Sequence, residues 1–354
     1  MKIKKKKTKQ KGWDFNRDGV SQGFIHSYIN CREQTRLRYK ELWTSKNDPI
    51  FREFGSCFHW LIPWSLQKQF KKPSGTASIK RAVDSYYCLW KKQNPKLTVK
   101  KTEQMDYVLG LAEKVLPAYL KRWRGDYADQ KYTMGCDVVR VKKWMSFEET
   151  WKEPYEFKVQ QLDALGKVIT KIIQLFLRGK FDGVFIDKKS GLWLFETKCL
   201  SVIKEDEIME LLPLDIQCML YLLAIKLKYN KKPKGVLYNI VRRPGLRQGK
   251  TETLKQLLGR VEKDVNDPKR QDHYFKRIEM VIDWSEVEEW QRTFLDPVLK
   301  EIRAWSQGEI KTWMNPDALT SKYGRCELYH LIVHAAKQNF FQRKCVYNEL
   351  ADNI

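Results

Sequence analysis

The sequence predicts an α/β fold, in which a central mixed β-sheet is flanked by helices and further helical segments are attached at both ends. Residues 180–198, KFDGVFIDKKSGLWLFETK, contain two apolar runs around a polar segment of five residues, which is the pattern of a β-hairpin. Residues 211–230, LLPLDIQCMLYLLAIKLKYN, carry apolar residues at helical spacing. The chain has 354 residues, 42% of them hydrophobic, so it can bury a sizeable core as one large or two ordinary domains.

The N-terminal third is predicted to be basic and mainly helical. Residues 1–11, MKIKKKKTKQK, hold seven lysines and predict a disordered arm that contacts phosphates non-specifically. Residues 12–136 form the helical region, with one helix starting near Ser21. Residues 74–125 predict two basic helices, with an N-cap near Ser74 and a stop at Gly125, that cover one side of the core.

Residues 137–250 are predicted to form the sheet core, beginning with one or two strands between 137 and 159. Residues 162–180 fit a helix or a strand equally well, whereas Gly235–Val241 predicts a strand that leads into a basic turn. Residues 251–354 predict a helical region packed on the core, with a short strand at 277–284. Ser285 and Glu288 have the spacing of a capping box that would start a long helix there.

The hairpin register brings charged residues together. If Ile186 faces Leu192 across the loop, Asp182 lies opposite Glu196, and Lys180 lies opposite Lys198. Side chains alternate along a strand, so Asp182, Glu196 and Lys198 share one face, with cross-strand Cβ atoms about 4.5–5.5 Å apart.

Two carboxylates at this separation can share Mg²⁺, while a nearby ammonium orients or deprotonates an attacking water. Such a site hydrolyses phosphodiesters. The alternative is an exposed hairpin face that carries a salt bridge. Glu156-Phe157-Lys158 and Asp187-Lys188-Lys189 contain the same acid-x-Lys pattern but lack an acid on the neighbouring strand. Glu148 or Glu149 is a further candidate carboxylate, although we favour an exposed strand edge for both.

These residues carry a family resemblance. Asp182, thirteen intervening residues and then Glu196-Thr197-Lys198 resemble the core motif of the PD-(D/E)XK nuclease superfamily. Gln217-Cys218-Met219-Leu220-Tyr221 resembles the Q-x-x-x-Y motif of its RecB-like branch, and Gly55-Ser56-Cys57-Phe58-His59 resembles the G-x-x-x-H motif. The three motifs occur in the family's order, and the resemblance covers residues 50 to 245.

The resemblance implies a restriction-endonuclease-like core and a metal-dependent DNA nuclease of exonucleolytic type, acting in recombination, repair or phage DNA processing. Asp182 and Glu196 would hold Mg²⁺ or Mn²⁺, with His59 and the Thr197 carbonyl as further ligands. Lys198 would position or activate the attacking water.

The helix positions around the site leave some roles open. Gln217 and Tyr221 share a helix face and would brace the site, contact DNA or simply pack beneath it. Gly55 and His59 also share a helix face, but Pro63 predicts a kink or restart after His59. Arg242 and Arg243, in the basic turn, are candidates for phosphate contacts or for a solvated loop.

The charge balance favours a nucleic-acid partner. Lys and Arg outnumber Asp and Glu by 67 to 43, which gives a net charge of +24. Single- or double-stranded DNA is the expected partner, and the aromatic residues offer stacking surfaces.

We expect no membrane span and no signal peptide, and hence a location in the cytoplasm, or in the host cytoplasm for a phage-encoded protein. No P-loop is present, so a helicase partner would be another chain. The rival hypotheses are a non-catalytic DNA-binding or recombination-mediator protein and a nuclease that acts on RNA.

The cysteines predict no metal centre. Some RecB-like nucleases bind a 4Fe–4S cluster through one upstream and three C-terminal cysteines, but here only Cys326 and Cys345 accompany Cys31. Cys326, His330, His334 and Cys345 span too far along a helix to bind one zinc ion. We expect them to be ordinary residues of a C-terminal segment clamped onto the body.

Overall fold

The computed structural model describes residues 12–45, 52–66, 76–94, 98–123, 141–321, 324–343, 345–347 and 350. It shows an α/β fold with a mixed sheet flanked by helices, so the predicted fold class is confirmed. The basic arm 1–11, the N-cap near Ser74 and the stop at Gly125 lie outside the described residues.

The central sheet has six strands, which are β1 Val20–Ser21, β3 Val141–Leu162, β4 Val168–Asp187, β5 Leu192–Leu200, β6 Gly235–Arg242 and β7 Phe275–Val281. Strands β1, β4, β5, β6 and β7 lie side by side, and β3 pairs with β4. Pairing is parallel for β1 with β4 and for β5 with β6, and antiparallel elsewhere. Within the segment 162–180, residues 163–167 form a turn and residues 168–180 belong to β4, so the segment contains no helix. The sheet takes β1 and β7 from outside the range 137–250.

Helices cover both faces of the sheet. The helices that precede β3 are α1 Phe15–Asp18, α2 Gln22–Asn30, α3 Arg32–Thr35, α4 Arg52–Leu66, α5 Thr76–Gln93 and α6 Val99–Arg122. Those that follow β5 are α7 Glu205–Leu211, α8 Ile216–Tyr229, α9 Leu254–Asn266, α10 Gln271–Tyr274, α11 Trp284–Trp290, α12 Asp296–Gln307, α13 Pro316–Leu319 and α14 Tyr329–His334. One face of the sheet packs against α4, α5, α6 and α9, and the other packs against α2, α8, α11 and α12.

Short irregular turns and two small strand pairs complete the described fold. π-helical turns occur at Arg36–Lys40 and Gln291–Leu295, and 3₁₀ turns at Leu212–Leu214, Pro268–Arg270 and Lys337–Asn339. Strand β2, Trp43–Ser45, pairs with β10, Phe340–Gln342, so the C-terminal segment is fastened to the N-terminal region. Strand β8, Thr320–Ser321, pairs with β9, Gly324–Arg325.

Helix α4 continues through Pro63 to Leu66, so it does not restart after His59, and the kink at Pro63 stays a prediction. Two other local expectations are wrong. The N-cap of α11 is Asp283, not Ser285, because the Asp283 side chain accepts the Ser285 N–H. Residues 211–230 do not form one helix, since Leu212–Leu214 is a 3₁₀ turn and α8 starts only at Ile216.

No single helix among the described residues is long and apolar enough to cross a membrane, although the bent pair 205–214 and 216–229 meets that length and composition together.

Candidate active site

The β4–β5 hairpin has the predicted register. Ile186 pairs with Leu192, and the backbone ladder continues to Gly183 and Phe195. The next position carries Asp182 on β4 and Glu196 on β5. The Asp182 Oδ2 atom accepts a hydrogen bond of 2.7 Å from the backbone N–H of Thr197. The two acids therefore lie where the strands separate, and Asp182 fastens the hairpin at that point.

Glu196, Lys198 and Gln217 form a closed triangle of hydrogen bonds. The Lys198 ammonium donates to Glu196 Oε1 at 2.6 Å and to Gln217 Oε1 at 2.7 Å. The Gln217 amide donates to Glu196 Oε1 at 2.7 Å. Gln217 lies in the first turn of α8, which Asp215 caps by accepting the Cys218 N–H. The start of α8 thus fixes the distance between the acid and the ammonium.

His59, Glu148 and Asp182 form a second cluster beside this triangle. His59 Nδ1 lies 3.1 Å from Asp182 Oδ1 and 3.6 Å from Glu148 Oε1. One ligand atom from each residue lies within 4.8 Å of the others. Lys180, on β4, forms an ion pair with the second oxygen of Glu148. Two sheet strands and helix α4 therefore direct three metal-binding side chains to one point.

A local distortion aims Glu148 at the site. The neighbouring pairs Phe147–Gly183 and Glu149–Phe181 place Glu148 opposite Asp182. Glu148 has a φ of +48°, in the left-handed region that residues other than glycine rarely adopt. Such strain costs about 1–3 kcal/mol and is concentrated at functional sites, where irregular strands redirect side chains. The expectation that Glu148 lies on an exposed strand edge is wrong, since its carboxylate is half-buried next to His59.

The charges of the site are strongly coupled. Burial and the charge of Asp182 raise the pKa of Glu196 to about 8. Burial opposes the protonation of His59, but Asp182 and Glu148 outweigh it and raise the pKa of His59 to about 10. Burial acts to raise the pKa of Asp182, yet the charge and hydrogen bond of His59 hold it below its ordinary value. The imidazolium therefore supplies the positive charge that two neighbouring carboxylates require.

Two buried carboxylate oxygens at the site are available to bind a cation. Glu196 Oε2 and Glu148 Oε1 are buried, and neither has a hydrogen-bond partner in the described part of the chain. Buried polar atoms are otherwise almost always satisfied. Carboxylate oxygens are ligands that Mg²⁺ and Mn²⁺ accept, and a neutral imidazole binds transition metals. His59, Glu148 and Asp182 offer ligand atoms within 4.8 Å of one another, and Glu196 adds a carboxylate on the neighbouring strand.

No protein-family model matches this chain, and no curated protein matches it. The likeness to the RecB-like nucleases therefore depends on the three motifs alone. All three reach the same place in the fold, because His59, Asp182, Glu196, Lys198 and Gln217 belong to the two clusters described above.

Thr197 is held from the side of the sheet opposite Glu196. Its hydroxyl accepts a hydrogen bond from the buried amide of Asn239 at 3.2 Å. The Asn239 oxygen in turn accepts from the Tyr119 hydroxyl at 3.2 Å and from Arg277 Nε at 3.1 Å. Thr197 reaches Asp182 through its N–H, and the metal-binding role of its carbonyl stays a prediction. The network fixes β5 directly beneath the acids.

Tyr221 packs beneath the site. Its ring meets Trp151 and Phe181 edge to face, with centroids 5.7 and 5.6 Å away. Burial, the largest influence, raises the pKa of its phenol, and the hydroxyl contacts the backbone of Lys180. Of the two Q-x-x-x-Y residues, only Gln217 hydrogen-bonds to the catalytic candidates.

The two arginines of the basic turn have different surroundings. Arg242 donates to the Ser201 carbonyl at 2.9 Å and lies 3.1 Å from His273. Arg243 lines a cleft of about 530 Å³ that opens onto the site. The cleft is also lined by Arg52, Phe54, Gly55, Ser56, His59, Lys198, Cys199, Leu200 and Ser201. Its basic and hydroxyl-bearing walls suit an anionic ligand of nucleotide size.

The cysteine and histidine candidates of the C-terminal segment lie apart from this site. Cys31 is buried at the start of α3, and its sulfur accepts the Asn315 N–H at 3.5 Å. Cys326 is half-buried and accepts the Leu328 N–H at 3.4 Å, whereas Cys345 is exposed. The rings of His330 and His334 lie side by side on α14, 5.7 Å apart. Among the described residues, the group of three or more metal-binding side chains is His59, Glu148 and Asp182.

Proposed function

We propose that this protein is a divalent-metal-dependent nuclease that hydrolyses DNA phosphodiester bonds. The observation that supports the proposal is the convergence of His59, Glu148 and Asp182 with the Glu196–Lys198–Gln217 triangle, in which two buried carboxylate oxygens lack partners. We further propose that the enzyme removes nucleotides from DNA ends during recombination, repair or phage DNA processing in the cytoplasm.

The side chains of the site would have different catalytic roles, according to their positions. His59, Glu148, Asp182 and Glu196 would hold Mg²⁺ or Mn²⁺. A bound ion of this kind lowers the pKa of water and stabilises the charge on a phosphoryl oxygen. Glu196 and Asp182 raise the pKa of Lys198 despite its burial, so the side chain is an ammonium that orients a water molecule or a phosphate oxygen. Gln217 keeps that ammonium in place.

Arg52 and Arg243 supply the electrostatic attraction for the substrate. Both line the cleft that reaches Lys198, and the protein has a net charge of +24. Arginine binds phosphate oxygens in a bidentate manner, so the two side chains suit consecutive phosphates of one strand.

A cleavage assay tests the proposal. The protein is incubated with end-labelled linear DNA, with circular DNA and with RNA, in Mg²⁺ and in EDTA. We expect metal-dependent nucleotide release, reduced at least about a hundredfold in Glu196→Ala and in Lys198→Ala. Lys189→Ala is the control, since this lysine ends the acid-x-Lys motif Asp187-Lys188-Lys189 and is exposed on the hairpin loop.

The possible outcomes of this assay distinguish the nuclease from the alternative functions. Degradation of linear but not circular DNA supports the exonucleolytic mode. Wild-type rates in both site variants would overturn the assignment. Binding of DNA without metal-dependent release would identify a non-catalytic DNA-binding or mediator protein, and cleavage confined to RNA would identify the ribonuclease.

A further inference from the structure

The β3–β4 ribbon extends beyond the rest of the sheet. Strand β4 pairs with β5 only from Gly183 to Ile186 and with β1 only at Leu177 and Arg178. From Phe157–Ile173 to Leu162–Val168 the two strands pair with each other alone. In the part of the chain that the structure describes, no third strand joins them there. The chain thus builds a two-stranded arm at the far end of the strand that carries Asp182.

One face of the arm carries exposed aliphatic side chains among polar ones. Leu162, Val168 and Ile172 are 66%, 59% and 64% exposed, and their register places them on the same face. Val159 and Ile173, on the opposite face, pack against the core and fix the arm's direction. Exposed aliphatic side chains clustered in this way indicate a binding surface.

The turn at the tip presents Leu165 in a defined position. Asp163 Oδ1 accepts the N–H groups of Leu165 and Lys167, both at 2.9 Å. Gly166 adopts a φ of +75°, which completes the turn. Leu165 is 91% exposed. A turn braced in this way loses little conformational entropy when its tip residue is buried by a ligand.

The arm's charge indicates what it binds. Lys158, Lys167 and Lys171 are exposed, and none forms an ion pair with a described residue. The acid at the tip, Asp163, is already engaged by the turn amides. A second copy of a chain with a net charge of +24 would be repelled, whereas a polyanion would be attracted.

We propose that this arm binds duplex DNA, with Leu165 inserted as an apolar wedge at a base step and the three lysines on flanking phosphates. Two-stranded ribbons fit DNA grooves, and apolar wedges unstack base pairs in the minor groove. The identity of the polyanion depends on the proposed nuclease function. Val168, where the turn at the tip ends, lies fourteen positions along β4 from Asp182, which is about 46 Å at 3.3 Å per residue. This distance corresponds to about 13 base pairs.

Binding is measured in the Lys198→Ala background, so that cleavage does not interfere. Lys158→Glu/Lys167→Glu/Lys171→Glu should lower the slope of log affinity against log salt by about 2.7 on a 30-base-pair duplex. An 8-base-pair duplex should show no such change, because it cannot reach from the site to the tip. Lys300→Glu/Lys311→Glu/Lys337→Glu makes the same charge change on exposed lysines elsewhere and is the control.

A second variant tests the wedge. In a duplex that carries 2-aminopurine, wild-type arm should raise the fluorescence by unstacking the base, and Leu165→Ala should abolish the rise while keeping the salt slope. Equal slopes for the arm and control triple variants would overturn the proposal. So would a change from dimer to monomer in Leu165→Ala with unchanged DNA binding, which would identify a second copy as the occupant. Cleavage of the short duplex by the protein with Lys198 intact tests the nuclease function separately.

Discussion

Gln217 hydrogen-bonds to Glu196 at 2.7 Å while accepting a hydrogen bond from Lys198 at 2.7 Å, so one amide fixes both an acid and an ammonium. Gln217→Ala should leave the Glu196 carboxylate and the Lys198 ammonium held only by each other, each with one hydrogen bond fewer. We expect kcat for DNA hydrolysis to fall about 10- to 100-fold, with a smaller change in KM, as for residues that orient metal ligands. Steady-state kinetics measure both constants. Gln307→Ala, at the exposed end of α12, should change neither. An unchanged kcat in Gln217→Ala would contradict the bracing role.

Glu148 and Glu149 are adjacent acids with different partners, so they form a matched pair of test sites. Glu148 faces His59, whereas Glu149 binds Lys228 at 2.6 Å and the Tyr229 hydroxyl at 3.0 Å. Glu148→Gln should weaken Mn²⁺ binding at least about tenfold, because an anionic ligand is removed. Glu149→Gln should leave the affinity unchanged. Isothermal titration calorimetry without DNA measures it, and equal affinities for both variants would exclude Glu148 from the metal site.

Metal affinity should rise with pH. The metal-free protein binds a proton on Glu196, whose pKa is about 8, and another on His59, whose pKa is about 10. Both protons must leave before the two groups bind a cation. Log affinity should therefore increase by up to two units per pH unit below pH 8 and by up to one between pH 8 and 10. Mn²⁺ titrations from pH 6.5 to 9 check the slope.

The His59→Asn variant is the control for this pH dependence, since it removes one of the two protons. Its limiting slope should be one, and this slope should persist above pH 8, because the lost imidazolium no longer lowers the pKa of Glu196. An affinity that is independent of pH in the unmodified protein would show that neither group binds the ion.

The hairpin register could be predicted because it depends only on local alternation and on one loop. Ile186 faces Leu192 as expected, and Asp182 and Glu196 follow from that pair. The position of Glu148 follows from a second hairpin in the same way. Asp163 and Gly166 are residues typical of turns, and a turn at 163–167 pairs Leu162 with Val168. This register places Glu148 opposite Asp182.

Other features depend on contacts that no short segment of sequence contains. Asp283 caps α11 in place of Ser285, although both residue types are good N-caps. The helix follows directly after β7, which ends at Val281, and the end of a strand depends on tertiary contacts. The motif spacing gave Gln217 and Tyr221 a common face, but only packing against Trp151 and Phe181 separates their roles. Arg52 and its place in the cleft had no motif at all.

Gly179 gives the sharpest test of the packing beneath the site. A Cβ at this position would lie 2.6 Å from Trp151 Cζ2 and 2.9 Å from Tyr221 Cε1. Trp151 also stacks on Phe181 at 5.4 Å, so the buried rings have little room to move. Gly179→Ala should lower the free energy of unfolding by about 1–3 kcal/mol, the usual cost of overpacking. Gly259→Ala, in the middle of α9 with open space around it, should instead raise it by up to about 1 kcal/mol. Urea denaturation measures both variants. If Gly179→Ala unfolds at the wild-type midpoint, Tyr221 and Trp151 do not pack as tightly against β4 as described.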